Sequence, residues 1–339
     1  MAQTIACFGE IILRLSTPGR EQLLQSGRLD AWVGGAEANV AVGLSRLGTP
    51  SQMVTVLPDN ALGHAARDEL RRNGVATEAI LWSPQGRLAL YFLTVGAMLR
   101  PSDITYDREG SAFAEAAPEL VDWSRALEGV GTLHVSGITA ATGPNGAAAA
   151  LRALEAANAA GVTVSFDCNF RQKMWERWGG DSAGTIRALM AQSDIIFGDE
   201  RDFAMALNQP FFGEGEAALV AAADAAFEAF PRLKLIACTR RAQESVDDQT
   251  LSAVLARRGT PLVHARAYRM TGVVDRIGGG DAFVAGLLHA MGQGRDDQAA
   301  LDFALAAGVL KHSVPGDFNL VSEADVMRLV ANEGLHVRR

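Results

Sequence analysis

The 339-residue chain has only three cysteines, Cys7, Cys168 and Cys238, and no two share a short spacing, which excludes a disulfide framework and a zinc ribbon. A reducing, cytoplasmic setting is expected. Lysine is equally scarce: Lys173, Lys234 and Lys311 all lie outside any G-x-x-x-x-G-K-[ST] frame, which excludes a P-loop enzyme. No G-x-G-x-x-G follows the first apolar stretch, so the dinucleotide fingerprint is missing. The histidines form no H-E-x-x-H and no serine sits in a G-x-S-x-G elbow, leaving zinc proteases and α/β-hydrolases without support. Excess positive charge is lacking too. With 31 basic against 39 acidic residues the net charge is −8, so no global field attracts nucleic acid or an anionic membrane, and neither is expected as a partner. The one uncharged run of spanning length, Gly129 to Leu151, is broken by Pro144, Asn145 and five glycines and divides into strand, loop and helix. Glu10 and Arg14 within the first apolar stretch make it a strand rather than a signal peptide.

What is present is a composition for a substantial core: 48% hydrophobic and 21% charged residues. Thr4 to Phe8 is an apolar run, and Ile11, Leu13 and Leu15 then alternate with polar neighbours, so two strands precede any helix. Ala36 to Leu47 has helical spacing and stops at Gly48; Gln52 to Leu57 is a strand; an Asp59 cap opens a helix through Arg72. Between about Ile80 and Tyr106 the period changes to two, as in a small antiparallel insertion. Strands at Leu133 to Ser136, Val162 to Phe166, Asp194 to Phe197 and Arg232 to Thr239 then alternate with helices, starting with one from about Asn145 to Ala160. Strand-like pieces at Gln249 to Val254 and Pro261 to Ala267 precede helices at Asp281 to Met291, Asp296 to His312 and Ser322 to Glu333. The pattern predicts one α/β domain over 1–339, a mostly parallel sheet with helices on both faces, and a β-rich lid from about 11–33 and 80–108.

Two glycine clusters carry chemistry. In Asp275-Arg276-Ile277-Gly278-Gly279-Gly280-Asp281, three glycines before an apolar helix let backbone N–H groups converge at a helix N-terminus, where an anion is favoured. Asp281, read as the first residue of that helix, is suited to take a proton from a hydroxyl beside such a hole, and Asp275 to sit near a magnesium ion or its waters. An ordinary aspartate cap after a glycine turn has the same local sequence. Gly34-Gly35 with Asn39 suits close approach by a polyhydroxylated ligand, although a tight strand-to-helix turn would read alike.

Together these clusters, with the β/α order between them, resemble the ribokinase-like (PfkB) family of sugar kinases over nearly the whole chain. Phe166 to Arg171 with Trp175, Tyr106-x-Arg108-x-Gly110-Ser111-Ala112, and Pro315-Gly316-Asp317 are most similar to the 2-keto-3-deoxygluconate kinases of that family. The resemblance implies ATP and Mg2+ as cofactors, Asp281 as general base, and Gly278, Gly279 and Gly280 as amide donors to phosphate charge. It implies an acceptor site of Gly34, Gly35, Asn39, Tyr91, Tyr106, Arg108, Arg171 and Asp317, with the two arginines holding a substrate carboxylate and the two tyrosines closing over the sugar. On the nucleotide side it points to Asp199, Thr239, Arg241, Gly278 and Gly280, with Asp275 and Asp202 indirectly at the metal.

Three departures stand out. Arg276 replaces a common threonine, Asp199 and Asp202 replace both key positions of an N-x-x-E metal motif, and the Thr239 to Ser245 turn lacks its glycines. The expected activity is phosphorylation of the terminal hydroxyl of a sugar acid such as 2-keto-3-deoxygluconate; the alternatives are a fructokinase-like enzyme for a neutral sugar and a non-catalytic sugar-binding relative. Bare lid edges lead to the expectation of a homodimer through the lids.

Overall fold

The structure, a computed structural model, describes residues 3–213 and 216–332. Strand β1 (Thr4–Phe8) is buried at its last four positions, with Ile5 and Cys7 in one hydrophobic cluster and Ala6 and Phe8 in another on the opposite face. That alternation is what a strand covered by helices on both sides requires. The chain then leaves for a second sheet through β2 (Ile12–Ser16) and β3 (Asp30–Gly34), so three strands rather than two precede the first helix. Helix α1 (Ala36–Leu47) starts after Gly35, at φ 133°, and stops at Gly48 in the left-handed region. β4 (Ser51–Pro58) returns beside β1 in parallel.

Helix α2 (Ala61–Arg72) is capped by Asn60, whose side chain accepts from the N–H groups of Leu62 and Gly63. Asp59, the cap expected from sequence, pairs with His64 instead, 2.9 Å away. β5 (Ile80–Ser83) joins the main sheet parallel to β4, its Ile80 buried in the core, so the second lid segment begins only at β6 (Ala89–Thr94) and ends with β7 (Asp103–Asp107). The lid order is β3-β2-β6-β7, and the central β2–β6 pairing is parallel, making the lid mixed rather than antiparallel.

Two single-turn helices, α3 (Ala112–Glu115) and α4 (Trp123–Ala126), lead into β8 (Val130–Ser136). The alternation then runs α5 (Gly137–Ala140), α6 (Pro144–Ala159), β9 (Thr163–Asp167), α7 (Gln172–Trp178), α8 (Ser182–Ala191), β10 (Ile195–Phe197), α9 (Glu200–Leu207) and α10 (Ala217–Ala229). β11 (Leu235–Gln243) is the last parallel strand, and β12 (Asp248–Arg257) folds back on it antiparallel. β13 (Val263–His264) and β14 (Tyr268–Thr271) both pair with β12. Only two residues of the expected Pro261 to Ala267 strand are paired, and β14 carried no clear period in the sequence. Helices α11 (Gly279–Gly292), α12 (Asp297–Lys311) and α13 (Glu323–Val330) complete the fold, and the expected helix end at Glu333 lies outside the described residues.

The main sheet runs β13-β12-β11-β10-β9-β8-β1-β4-β5, with β14 beside β12. One face carries α1, α11 and α12, the other α6, α8, α9 and α10. The direction of chain progress reverses between β1 and β8, so the crevice where ligands gather in such sheets opens beyond the ends of these strands.

Candidate active site

That crevice is a cavity of about 1270 Å3, room for two small molecules at once. Its lining comes from the lid (Tyr91, Tyr106), α1 (Asn39), the segment after β9 (Asn169, Arg171), β11 (Thr239, Arg241) and the turn before α11.

The turn is built on Gly278, at φ 79°, where an added Cβ would lie 2.1 Å from the Asp317 carbonyl oxygen. Only glycine fits there. α11 starts at Gly279, which places Asp281 at its third residue rather than the first, because the glycines themselves take helical conformation. The Gly279 N–H donates to the Arg276 carbonyl at 3.3 Å, whereas those of Gly280 and Asp281 have no backbone acceptor among the described residues and belong to residues that line the cavity, as anion donors would. Asp281 Oδ2 accepts a 2.6 Å hydrogen bond from Asn39 Nδ2. Burial pushes its carboxyl up to about 6, with Asn39, Arg171 and Lys311 pulling the other way.

On the lid side, Arg14 from β2 reaches between two carboxylates: its Nη2 lies 2.7 Å from Asp275 Oδ2 and its Nη1 2.9 Å from Asp317 Oδ1. Tyr91 donates its hydroxyl to Asp317 Oδ2 at 2.6 Å. Asp275 also accepts from the N–H groups of Ile277 and Gly316. The sequence reading put Asp275 near magnesium or its waters and Asp317 in the acceptor site; both carboxylates pair with Arg14, and Asp317 lines the cavity while Asp275 lies outside the lining. Gly34 is required because a Cβ there would meet Asp317 Oδ2 at 2.3 Å, and Gly35 because one would meet the Glu10 carbonyl oxygen at 2.3 Å.

The two arginines expected to hold a carboxylate have different surroundings. Arg108, buried beneath Tyr106, donates from Nε to Glu10 Oε2 at 2.6 Å, and Ser111 occupies the other Glu10 oxygen. Its charge is already matched. Arg171 is exposed to the cavity, makes only a 3.2 Å bond to the neighbouring Phe170 carbonyl, and forms no ion pair among the described residues. Its field favours ionised Asp281 and Asp167.

On the nucleotide side, Asp199 and Asp202 form a capping box on α9: Asp199 accepts from the Arg201 N–H and Asp202 from the Asp199 N–H, each at 2.9 Å. The Arg201 side chain also folds onto Asp199, holding its carboxyl below the usual range. Thr239 and Arg241 line the cavity from β11, where no glycine turn is needed because the chain continues as a strand to Gln243. Arg241 lies 3.1 Å from His312 Nε2, and burial together with Arg276 pulls it down to about 10. Arg276, exposed in the lining, forms no ion pair among the described residues.

Four residues in or around the site escaped the sequence reading. Glu10 and Arg14 served there only to argue against a signal peptide, yet a charge inside an apolar strand must find a partner, which was the available signal. Glu37 is fully buried at the β1/β8 switch point, accepting from the Ser136 N–H at 2.8 Å and the Thr139 hydroxyl at 2.6 Å. Burial pushes its carboxyl up to about 8. Asp167, at the end of β9, lines the cavity, and burial followed by the nearby Asp281 pushes it up to about 7. Among the described residues no three His, Cys, Asp or Glu side chains are spaced to hold a metal ion by themselves.

The family model for pfkB family carbohydrate kinases matches residues 2–323. The chain is 31% identical over 335 residues to a 2-dehydro-3-deoxygalactonokinase of Haloferax volcanii, covering 97% of each protein. It is 27% identical over 323 residues to a probable chloroplastic fructokinase-6 of Arabidopsis thaliana, covering 92% of this chain and 78% of that one. Among solved structures, the 2-dehydro-3-deoxygluconokinase of Thermotoga maritima superposes with a TM-score of 0.91 at 35% identity, over 97% of this chain and 99% of that one. The fructokinase of Xylella fastidiosa with bound ATP superposes at 0.78 with 24% identity, over 98% and 99%, a likeness of fold. The chain belongs to the pfkB family of carbohydrate kinases.

Proposed function

We propose that this carbohydrate kinase transfers the γ-phosphoryl group of ATP to the terminal hydroxyl of a small sugar acid, 2-keto-3-deoxygluconate or its galacto epimer, with Asp281 as general base. The observation that carries the reading is Arg171: a guanidinium open to the cavity, without an acidic partner among the described residues, in the field of Asp281. Such a group pairs bidentately with a planar carboxylate, which a neutral sugar lacks.

In this reading Asp281, ionised above about pH 6 and oriented by Asn39, accepts the proton of the attacking hydroxyl. The first-turn amides of Gly280 and Asp281, which have no backbone acceptor among the described residues, donate to the phosphoryl oxygens, while Arg241 and Arg276 supply positive charge for the remaining phosphates. Asp167, Asp199 and Asp202 offer hard oxygens to the cavity, and the Asp167 and Asp202 carboxyls are raised first by burial and then by neighbouring acids, a repulsion that a cation relieves. This fits Mg2+ held chiefly by waters and phosphates. When bound, Mg2+ offsets charge on the β- and γ-phosphate oxygens. Gly35 and Asn39 line the acceptor end, Gly34 lies outside the lining with its missing Cβ making room for the Asp317 side chain, and Tyr91 and Tyr106 cover the end from the lid.

One observation favours a second reading. Glu10 matches the charge of Arg108, leaving one open acceptor-side guanidinium instead of two, so a fructokinase-like role with a neutral sugar is the competing proposal. Turnover in a coupled assay on fructose, ribose, gluconate and both 2-keto-3-deoxy acids decides between them. The sugar acids should lead by at least about tenfold in kcat/KM, the worth of one such ionic contact; a lead for fructose overturns the proposal.

Two broader proposals accompany it. The protein works in the cytoplasm, in line with its free cysteines; no helix among the described residues is long and apolar enough to cross a membrane. It also pairs through its lids, where the edge strands β3 and β7 have no partner on their outer side among the described residues.

A further inference from the structure

Lys311 ends α12 and is fully buried, whereas Lys173 and Lys234 are exposed. Its ammonium donates to the Val314 carbonyl at 3.0 Å and forms no ion pair within 4.0 Å among the described residues. Its stem packs behind the glycine turn: a Cβ added at Gly278 would lie 3.3 Å from Lys311 Cε. Burial pulls the ammonium below its ordinary range and Arg14 adds to that, while Asp275, Asp317 and Asp281 at longer range favour its charge. A buried charge without direct pairing costs stability, and a well-packed apolar residue of similar volume is commonly neutral or stabilising in such a place. The side chain therefore needs a reason other than packing. Its position supplies one, because the turn has the cavity in front and this ammonium behind.

We infer that Lys311 is a positioning residue for phosphoryl transfer, a fixed positive charge behind the Gly278–Gly280 turn that strengthens the turn's hold on the phosphoryl group as charge develops there. It touches neither substrate and acts through the turn. A purely structural role, balancing Asp275 and Asp317 or the carbonyl end of α12, would appear in stability alone. The inference rests on the reading of the Asp281 turn as the transfer site.

The experiment uses the full chain and whichever acceptor the wild type turns over. Lys311→Met should melt within a few degrees of wild type and keep both KM values within about threefold. Its kcat should fall by about tenfold or more, less than the loss of a direct oxyanion donor causes. Affinity for ADP with aluminium fluoride, a stand-in for the transferring phosphoryl group, should fall by a similar factor while affinity for ADP alone holds. Lys311→Gln, which keeps a donor for Val314, should lose kcat in the same way. A kcat within twofold of wild type in either folded variant overturns the inference, as does failure of both to fold, which would assign the ammonium to the scaffold. Asp281→Asn run alongside separates the two claims: if it keeps the wild-type rate, the transfer site itself is misassigned, whatever Lys311 does.

Discussion

Asn39 Nδ2 and Asp281 Oδ2 meet at 2.6 Å, and through that bond the first turn of α1 fixes the carboxylate on the first turn of α11. The two helices pack closely enough that a Cβ at Gly43 would stand 2.9 Å from the Ala285 methyl, so the orientation is inherited from the core. Each helix starts after a glycine with positive φ, Gly35 and Gly278, which lets the two N-termini open onto the same cavity.

Asp281→Asn removes the base and leaves the helix start intact. We expect a folded protein whose kcat is lower by roughly 10²- to 10⁴-fold. In the wild type, kcat/KM should fall with decreasing pH through about 6, where Asp281 takes up its proton and can no longer accept one from the substrate. Rates within threefold of wild type for the variant would place the base elsewhere.

Arg171→Ala should raise the acceptor KM with little change in the ATP KM. The loss corresponds to roughly 2 to 4 kcal/mol, combining the missing pair with a substrate carboxylate left unmatched. Kinetics with each substrate varied in turn read this directly; a rise in the ATP KM alone would mean that the two ends of the cavity have been exchanged.

Arg14→Met should be among the more damaging single changes outside the hydrophobic core. It leaves Asp275 and Asp317 buried without their guanidinium, a defect of about 3 to 5 kcal/mol. Urea unfolding measures it, and adding Asp275→Asn should recover part of the loss. A midpoint equal to wild type would show that the pair contributes nothing net.

Glu37→Gln should alter the pH dependence of stability. Between about 4.5, the ordinary value, and about 8, the folded protein holds a proton on Glu37 that the unfolded chain has released. Stability from this group is therefore fully present at low pH and declines as pH rises, at up to about 1.4 kcal/mol per unit. Glutamine has no such decline, so the variant should gain on wild type from pH 5 to pH 8.5 in thermal unfolding. An offset that stays constant across that range refutes the assignment.

Light scattering at micromolar concentration should give the mass of two chains. Charge-bearing substitutions on the outward edge of β7, such as Thr105→Lys, should lower it to one. A single-chain mass for the wild type would count against pairing through the lids.

The main sheet was legible because β1, β4, β8, β9 and β10 are short apolar runs buried on both faces, a pattern written within each strand. β5 misled because Ile-Leu-Trp-Ser, next to the alternating β6, reads the same whether it extends a lid or edges a large sheet; its pairing with β4 is a tertiary fact. In the site, Asp281, Asn39 and the glycines stood out because each sits beside a helix start. Glu10 and Arg14 each showed as a charge in an apolar stretch, but which residues they pair with was not legible, Asp275 and Asp317 being 261 and 303 residues from Arg14, and Arg108 lying 98 residues from Glu10. Such partners are chosen by how β2 lies over the crevice, which no window of sequence contains.

Arg14 belongs to the lid, and its two partners belong to loops at the far end of the chain. For anyone recombining these kinases to change what they accept, the lid is consequently not a detachable cassette. A chimera that imports a foreign β2 without arginine strands two host acids, and one that imports the arginine into a host without them strands a cation. The viable exchange unit is discontinuous, joining β2 and β6 to the segments around 275 and 317.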